Sequence, residues 1–380
     1  MSDSAVSPQS PAHPARGGWH LKWLACLVGV AVALWGGAAA ARKVGRTRAP
    51  PQHLRDTGLY SDFRQRVVAS ANLEYSPQYP LWTDGAAKRR WFSLRPGTAI
   101  DGSKPDAWVF PVGTKFWKEF AFGGRRIETR YLERQADGSW LYAAYAWNED
   151  ESDAVLVPDR GKPGACEVAG GWHRIPSVND CKACHQGQPT QVLGFSALQL
   201  SPDRDPSAVH AEPVPAPGVD LNYLVKNKLL KRFPKALLDT PPRITAATPT
   251  ERAALGYLHG NCGHCHNDDG SLRNLELALR HALGDAPTAL ERAEATSVGR
   301  RIKARAPGQA QDAILRIEPG HPERSVVLQR MSSRYAALQM PPLGTVVVDD
   351  EAVALLSRWI AETPSPTTGL GVSGNSSNTH

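Results

Sequence analysis

The stretch "GYLHGNCGHCHNDDG", residues 256 to 270, places two cysteines and three histidines within fifteen positions, and its reading decides the fold. A looser version, "NDCKACHQGQ", occupies residues 179 to 188. Both reduce to one order, Cys, two spacers, Cys, His: Cys181, Cys184 and His185, then Cys262, Cys265 and His266. Two thiols at that spacing add across the vinyl groups of a haem, and the next imidazole reaches the iron from beneath the ring. The motif predicts two covalently attached haem c groups, with His185 and His266 as iron ligands. Zinc is a poorer match, because the halves of a four-cysteine site usually stand about 15–20 residues apart, whereas 77 residues separate Cys184 from Cys262. A thioredoxin-like redox pair gives no reason for a histidine after both pairs.

Iron takes a second axial ligand, and the chain contains only Met1, Met331 and Met340. Met340, in "LQMPPLGT", follows His266 by 74 residues on a proline-stiffened loop and is the expected partner of the second haem. Met/His ligation raises the reduction potential, as an electron carrier requires. Met331 reads as helix packing. No methionine lies near the first motif; His210 is the favoured candidate there, His173 the next, and an open iron site the third. His259 and His264 are expected at the surface or beside propionates.

Around these motifs the chain is organised in blocks. The formal charge is +7, but Arg16, Lys22, Arg42, Lys43, Arg46 and Arg48 against Asp3 put +5 of it in the first 48 residues. The remainder carries no basic stripe able to neutralise phosphates, which excludes nucleic-acid binding. Residues 24 to 41 are uncharged and would span about 27 Å as a helix, so residues 19–41 are expected to be a membrane anchor or a signal peptide. Residues 1–18 read as a disordered tail and 42–53 as a linker. From 54 to 175 come short aromatic and β-branched runs such as "KFWKEFAF" and "SWLYAAYAW", parted by turn signals at Gly123-Gly124 and Asp137-Gly138; they predict an antiparallel sandwich or barrel. Glu128, Glu133 and the run Glu149, Asp150, Glu151 and Asp153 read as solvated. Residues 176–248 form a first haem region with a helix at 220 to 231. Residues 249–362 form a second, with one helix capped by Thr250 and an amphipathic terminal helix started by Asp349 or Asp350. Residues 363–380 are expected to be a disordered tail.

The segment from "GYLHGNCGHCHNDDG" through "GHPERSVVLQRMSSR" to "QMPPLGTVVVDDEAVALLSRWIAE" resembles the all-helical class I cytochrome c domain. The phrases ahead of it, "YPLWTDGAAKRRWFSL", "FPVGTKFWKEF" and "IPSVNDCKACH" among them, resemble a family of exported bacterial dihaem proteins with a β-rich front half. The resemblance implies an N-terminal membrane helix, an antiparallel β-rich domain and mainly α-helical cytochrome c-type haem domains. It also implies placement in the bacterial inner membrane as a single-pass protein with the haem domains in the periplasm, or a soluble periplasmic form after cleavage. The expected function is one-electron transfer between redox partner proteins. A dihaem peroxidase-like enzyme working at the first, Met-free haem and a haem-bearing partner-binding or sensor scaffold are the alternatives; no catalytic residue is evident.

Overall fold

A six-stranded antiparallel sheet in simple chain order forms the largest element of the computed structural model, which describes residues 47–284 and 288–364, those from 288 to 291 by backbone alone. Its strands are β1 (Leu73–Glu74), β2 (Ala87–Ser93), β3 (Lys115–Phe122), β4 (Arg125–Arg134), β5 (Trp140–Trp147) and β6 (Ala154–Leu156). The expected turn at Gly123-Gly124 joins β3 to β4, with φ of 56° and 82°. Positive φ at both central residues matches the right-handed twist of the strands it connects. Three two-stranded sheets flank this one, so the front half is an open meander rather than a sandwich or barrel.

Alternation sorts the sheet into two faces. Trp91, Trp117, Tyr131 and Ala143 stand in one cross-strand row and bury against Leu54, Leu59 and Tyr60. Phe92, Phe116, Leu132 and Tyr142 form the adjacent row on the opposite face and pack on Phe195, Trp108 and Leu221 from outside the sheet. Two residues further along that second face the row becomes charged: Arg90, Lys118 and Arg130.

Among the described residues after Ile175 come seven α-helices: α1 (Val178–His185), α2 (Leu221–Lys226), α3 (Ala236–Asp239), α4 (Pro249–Asn261), α5 (Thr288–Ser297), α6 (Val326–Met331) and α7 (Asp350–Glu362). This corrects the expectation of mainly α-helical haem domains. The helices reach 13 residues at most, and long irregular connections and isolated β-bridges such as Val298–Ile317 separate them. The physical reason is composition: "APGQAQ", "EPGHPE" and "QMPPLGT" interrupt the chain with residues that end helices. Where caps and an apolar stripe coincide, helices form. Thr248, not Thr250, caps α4 by accepting from the Glu251 amide, with Pro249 at the first helical position. Asp349 caps α7, which buries Leu355, Leu356, Trp359 and Ile360 beside Leu255 and Leu258 of α4. The helix expected over 220–231 stops at Lys226, and Leu230–Lys231 pairs instead with Ile100–Asp101.

The single-pass inner-membrane placement is corrected as well. Among the described residues no helix is long and apolar enough to cross a membrane, and residues 19–41, on which that expectation rested, lie outside those described. So do the expected tails, apart from Thr363 and Pro364.

One loop joins the sheet to the helices. Tyr79, on the way into β2, lies so close to α4 that a Cβ on Gly256 would stand 2.0 Å from its ring. Its hydroxyl donates to Asp205, so the ring cannot swing aside. Three residues on, the Trp82 amide donates to Asn261 at the end of α4, and its indole donates to the Val347 carbonyl ahead of α7. Gly256→Ala is therefore expected to lower stability by about 1–3 kcal/mol through overpacking, read as a shift of the urea unfolding midpoint followed by circular dichroism.

A candidate cofactor site where both motifs meet

The first motif sits on α1, where a capping box starts the helix: Ser177 accepts from the Asp180 amide, and Asp180 accepts from the Ser177 amide. Cys181, Cys184 and His185 then share one face at i, i+3 and i+4. The second motif is a tight turn at the end of α4, in which the Cys265 and His266 amides both donate to the Cys262 carbonyl. The two motifs touch. A Cβ on Gly187 would lie 2.5 Å from the His264 carbonyl oxygen, and Asn267 donates to the Gly187 carbonyl. The Cys184 and Cys265 sulfurs and a His264 ring nitrogen all lie within 4.8 Å of one another.

All six motif residues line a single cavity of about 530 Å3, together with Met340 and Met331. That volume falls within the ~300–1,000 Å3 typical of cofactor sites. One wall is the second face of the sheet, through Phe116, Lys118, Arg130 and Leu132; the other is built from α4, α6 and the loop through Met340. Six cationic side chains line it against one carboxylate, Asp180.

The two motif histidines are held differently. His185 Nδ1 donates to the Gln191 carbonyl at 2.7 Å, and Tyr142 of β5 holds the side chain of the same glutamine. A carbonyl only accepts, so Nδ1 carries the proton and Nε2 keeps its lone pair. Burial pushes the His185 pKa down to about 4, with His264, Arg130 and Lys118 pushing the same way against the Gln191 bond. His266 is also pushed down to about 4, by burial and then by His264, Arg330 and Arg316. Both are neutral imidazoles, the form that binds metal. His266 Nδ1 is buried without a partner among the described residues. The Met340 amide donates to the Arg330 carbonyl, which places Met340 on the His266 side of the cavity. Three of the four thiols are held protonated, while Cys265 is lowered by its bond with Cys184 against burial. Burial raises Cys181 to about 11 and Cys262 to about 12, while a bond to Cys265, and then burial, raises Cys184 to about 12.

His210 is not in this cavity wall. Its Nε2 is 2.8 Å from Asp349 and its ring rests on Trp82, so the favoured partner for the first motif is engaged elsewhere. His173 is excluded by its own bonds: Nδ1 lies 2.8 Å from Asp84 and Nε2 3.2 Å from Glu128, in a fully buried setting. His264 is buried between the motifs rather than at the surface, and its Nδ1 has no partner among the described residues. His259 is kept off the cavity by accepting from the His281 amide.

Sequence reasoning missed the group that holds the walls together. Asp84 Oδ1 accepts from Thr345, Val346 and Val347, just beyond Met340, while Oδ2 binds His173. Glu128, read as solvated, is fully buried and joins His173 to Arg130. The inward phase of Glu128, four residues before Leu132 on β4, was the available signal. Burial alone would raise the Asp84 pKa, but bonds from His173, Thr345, Val347 and Val346 outweigh it and lower it below 3.8. Glu128 is likewise lowered below 4.5: burial opposes this, and Arg130 and His173 prevail. His173 is raised above 6.5 by Asp84 and Glu128 against burial.

No family model matches the chain, and neither the curated proteins nor the solved structures offer a match.

These shifts set a pH window. The carboxylates stabilise the fold above their ordinary values and lose that contribution as the pH falls below them; the histidine stabilises it below 6.5 and loses its contribution as the pH rises through its raised value. Asp84→Ala is expected to cost about 3–5 kcal/mol, because it breaks a buried ion pair and leaves His173 Nδ1 and the Thr345, Val346 and Val347 donors without their acceptor. Urea denaturation across pH should give the largest gap between variant and wild type from 4.5 to 6.5, shrinking on either side.

Proposed function

We propose that the chain is a dihaem c-type electron-transfer protein. The observation that carries this reading is that one cavity collects both Cys-x-x-Cys-His motifs together with Met340. The residues present fit the group: four thiols in two pairs, two neutral histidines, one of them fixed as the Nδ1–H tautomer, and a wall rich in cations facing a cofactor that carries two carboxylates per ring. Haem, when bound, supplies one-electron chemistry at its iron. Cys181 and Cys184 would hold one group covalently and Cys262 and Cys265 the other. His185 and His266 would bind iron through Nε2, and Met340 would complete the second site.

The chain's own part in electron transfer is spacing and exclusion of water. Contact between the motifs keeps the two sites side by side, so an electron arriving at one has a short path to the other. The sheet seals the first site, and Asp84 clamps the loop that carries Met340. Donor and acceptor would be separate redox proteins meeting the cavity mouth.

A second reading rests on the cluster of Cys184, His264 and Cys265, whose donor atoms suit a zinc ion. It leaves Cys181, Cys262, His185, His266 and Met340 without work, and so accounts for less. A pyridine haemochrome assay on the purified full-length chain separates the two. Covalent c-type haem in a ratio of two per chain is expected, falling to one in a Cys181→Ser/Cys184→Ser variant; zinc without haem would remove the leading reading. Met340→Ala is expected to lower the potential of one haem and leave the other in place, measured by spectroelectrochemistry.

A further inference from the structure

Among the described residues, no histidine or methionine of the cavity lining is placed as the sixth ligand of the iron that His185 would hold. His210 and His173 are bound elsewhere, and Met331 and Met340 come from the C-terminal wall. His264 contacts the Cys184 and Cys265 sulfurs themselves, at the rim where a haem ring is attached rather than over its centre.

One donor in the opposite wall is unclaimed. Lys118 stands between Arg90 on β2 and Arg130 on β4, directly in register with both. Three like charges in one cross-strand row are destabilising unless each is offset. Arg90 pairs with Glu212, and Arg130 with Glu128. Lys118 has neither a hydrogen bond nor an ion pair among the described residues; its ammonium meets only the face of Phe120, 4.8 Å away. The other cations of the cavity wall are each bonded to an acid or to backbone carbonyls. A lysine placed at such cost in a cavity wall needs a partner the protein alone does not supply.

We propose that Lys118 Nζ is the sixth ligand of the iron bound by His185, making the first site a histidine/amine haem. This rests on the dihaem reading above. Position favours it over a role in binding propionates. Lys118 and its row neighbour Arg130 line the cavity together with Cys181, Cys184 and His185, and Arg130 is close enough to the two motif sulfurs to interact with them. Those sulfurs attach to the vinyl half of the ring, and the propionates leave from the opposite half. Ligation needs the neutral amine, and burial, followed by Arg90, Lys88 and Arg130, lowers the lysine pKa well below its ordinary value. A first iron closed on both sides passes electrons and does not turn over peroxide, so this ligand also decides between the electron carrier and its peroxidase-like rival.

The test is near-infrared magnetic circular dichroism with low-temperature electron paramagnetic resonance on the purified, haem-loaded full-length chain. Two low-spin ferric haems are expected in the wild type, one with histidine/methionine and one with histidine/amine signatures. Lys118→Ala should abolish the histidine/amine signal, produce a high-spin ferric signal that binds added cyanide, and leave the histidine/methionine signal intact. Lys118→Met should convert the first signal to histidine/methionine. A wild type whose first haem is high-spin or carries any other ligand pair overturns the proposal even if no variant folds, as does Lys118→Ala with both low-spin signals unchanged. Absence of covalent haem would be read separately by the haemochrome assay, and would remove the dihaem reading itself.

Discussion

A buried carboxylate bonded at both oxygens holds this molecule together. Asp84 sits in a left-handed turn that leads into β2, φ 50°, and is met by groups from two distant places: His173 on the hairpin before α1, and three donors of the loop before α7, the farthest of them 263 residues away. Through His173 the chain of contacts continues to Glu128 and Arg130 on β4. A run of alternating charges in a dry interior is stable only when every member is bonded. Here the demand is met, and meeting it fixes the sheet, the α1 region and the Met340 loop relative to one another. The cavity is the space these three leave.

That constraint explains why sequence and structure part company where they do. The cysteine–histidine order is legible because it is written in five consecutive residues, and local spacing survives in one dimension. Gly123-Gly124 was legible for the same reason, since a two-residue turn is written in two residues. Asp84, Glu128 and Lys118 were not, because what each of them does depends on a partner brought in by strand register or by a loop from the far end of the chain. His210 was misjudged through the converse error. It is a free histidine in one dimension and a cap-bound one, held by Asp349, in three.

The helical half misled differently. Its residues carry apolar periodicity at α4 and α7, and those two helices do pack together. Between them, proline and glycine punctuate the chain often enough that tertiary contacts, not helix propensity, decide the path. The front half, expected as a β-rich domain over 54–175, lends one face of its sheet to the cavity. The described residues from Thr47 onward accordingly form one compact unit.

The contact between the two motifs bears on reactivity. Once Gly187 rests on the His264 carbonyl, the four motif sulfurs lie half-buried along one cavity, and three of them carry thiols raised to about 11 or 12. Almost none of those thiols is ionised at neutral pH, and a buried thiol is a slow nucleophile. In the folded chain these three sulfurs are therefore slow to react, whereas Cys265 is lowered by its bond with Cys184 against burial. The contact between the motifs thus sets which of the four sulfurs the folded chain leaves easiest to ionise.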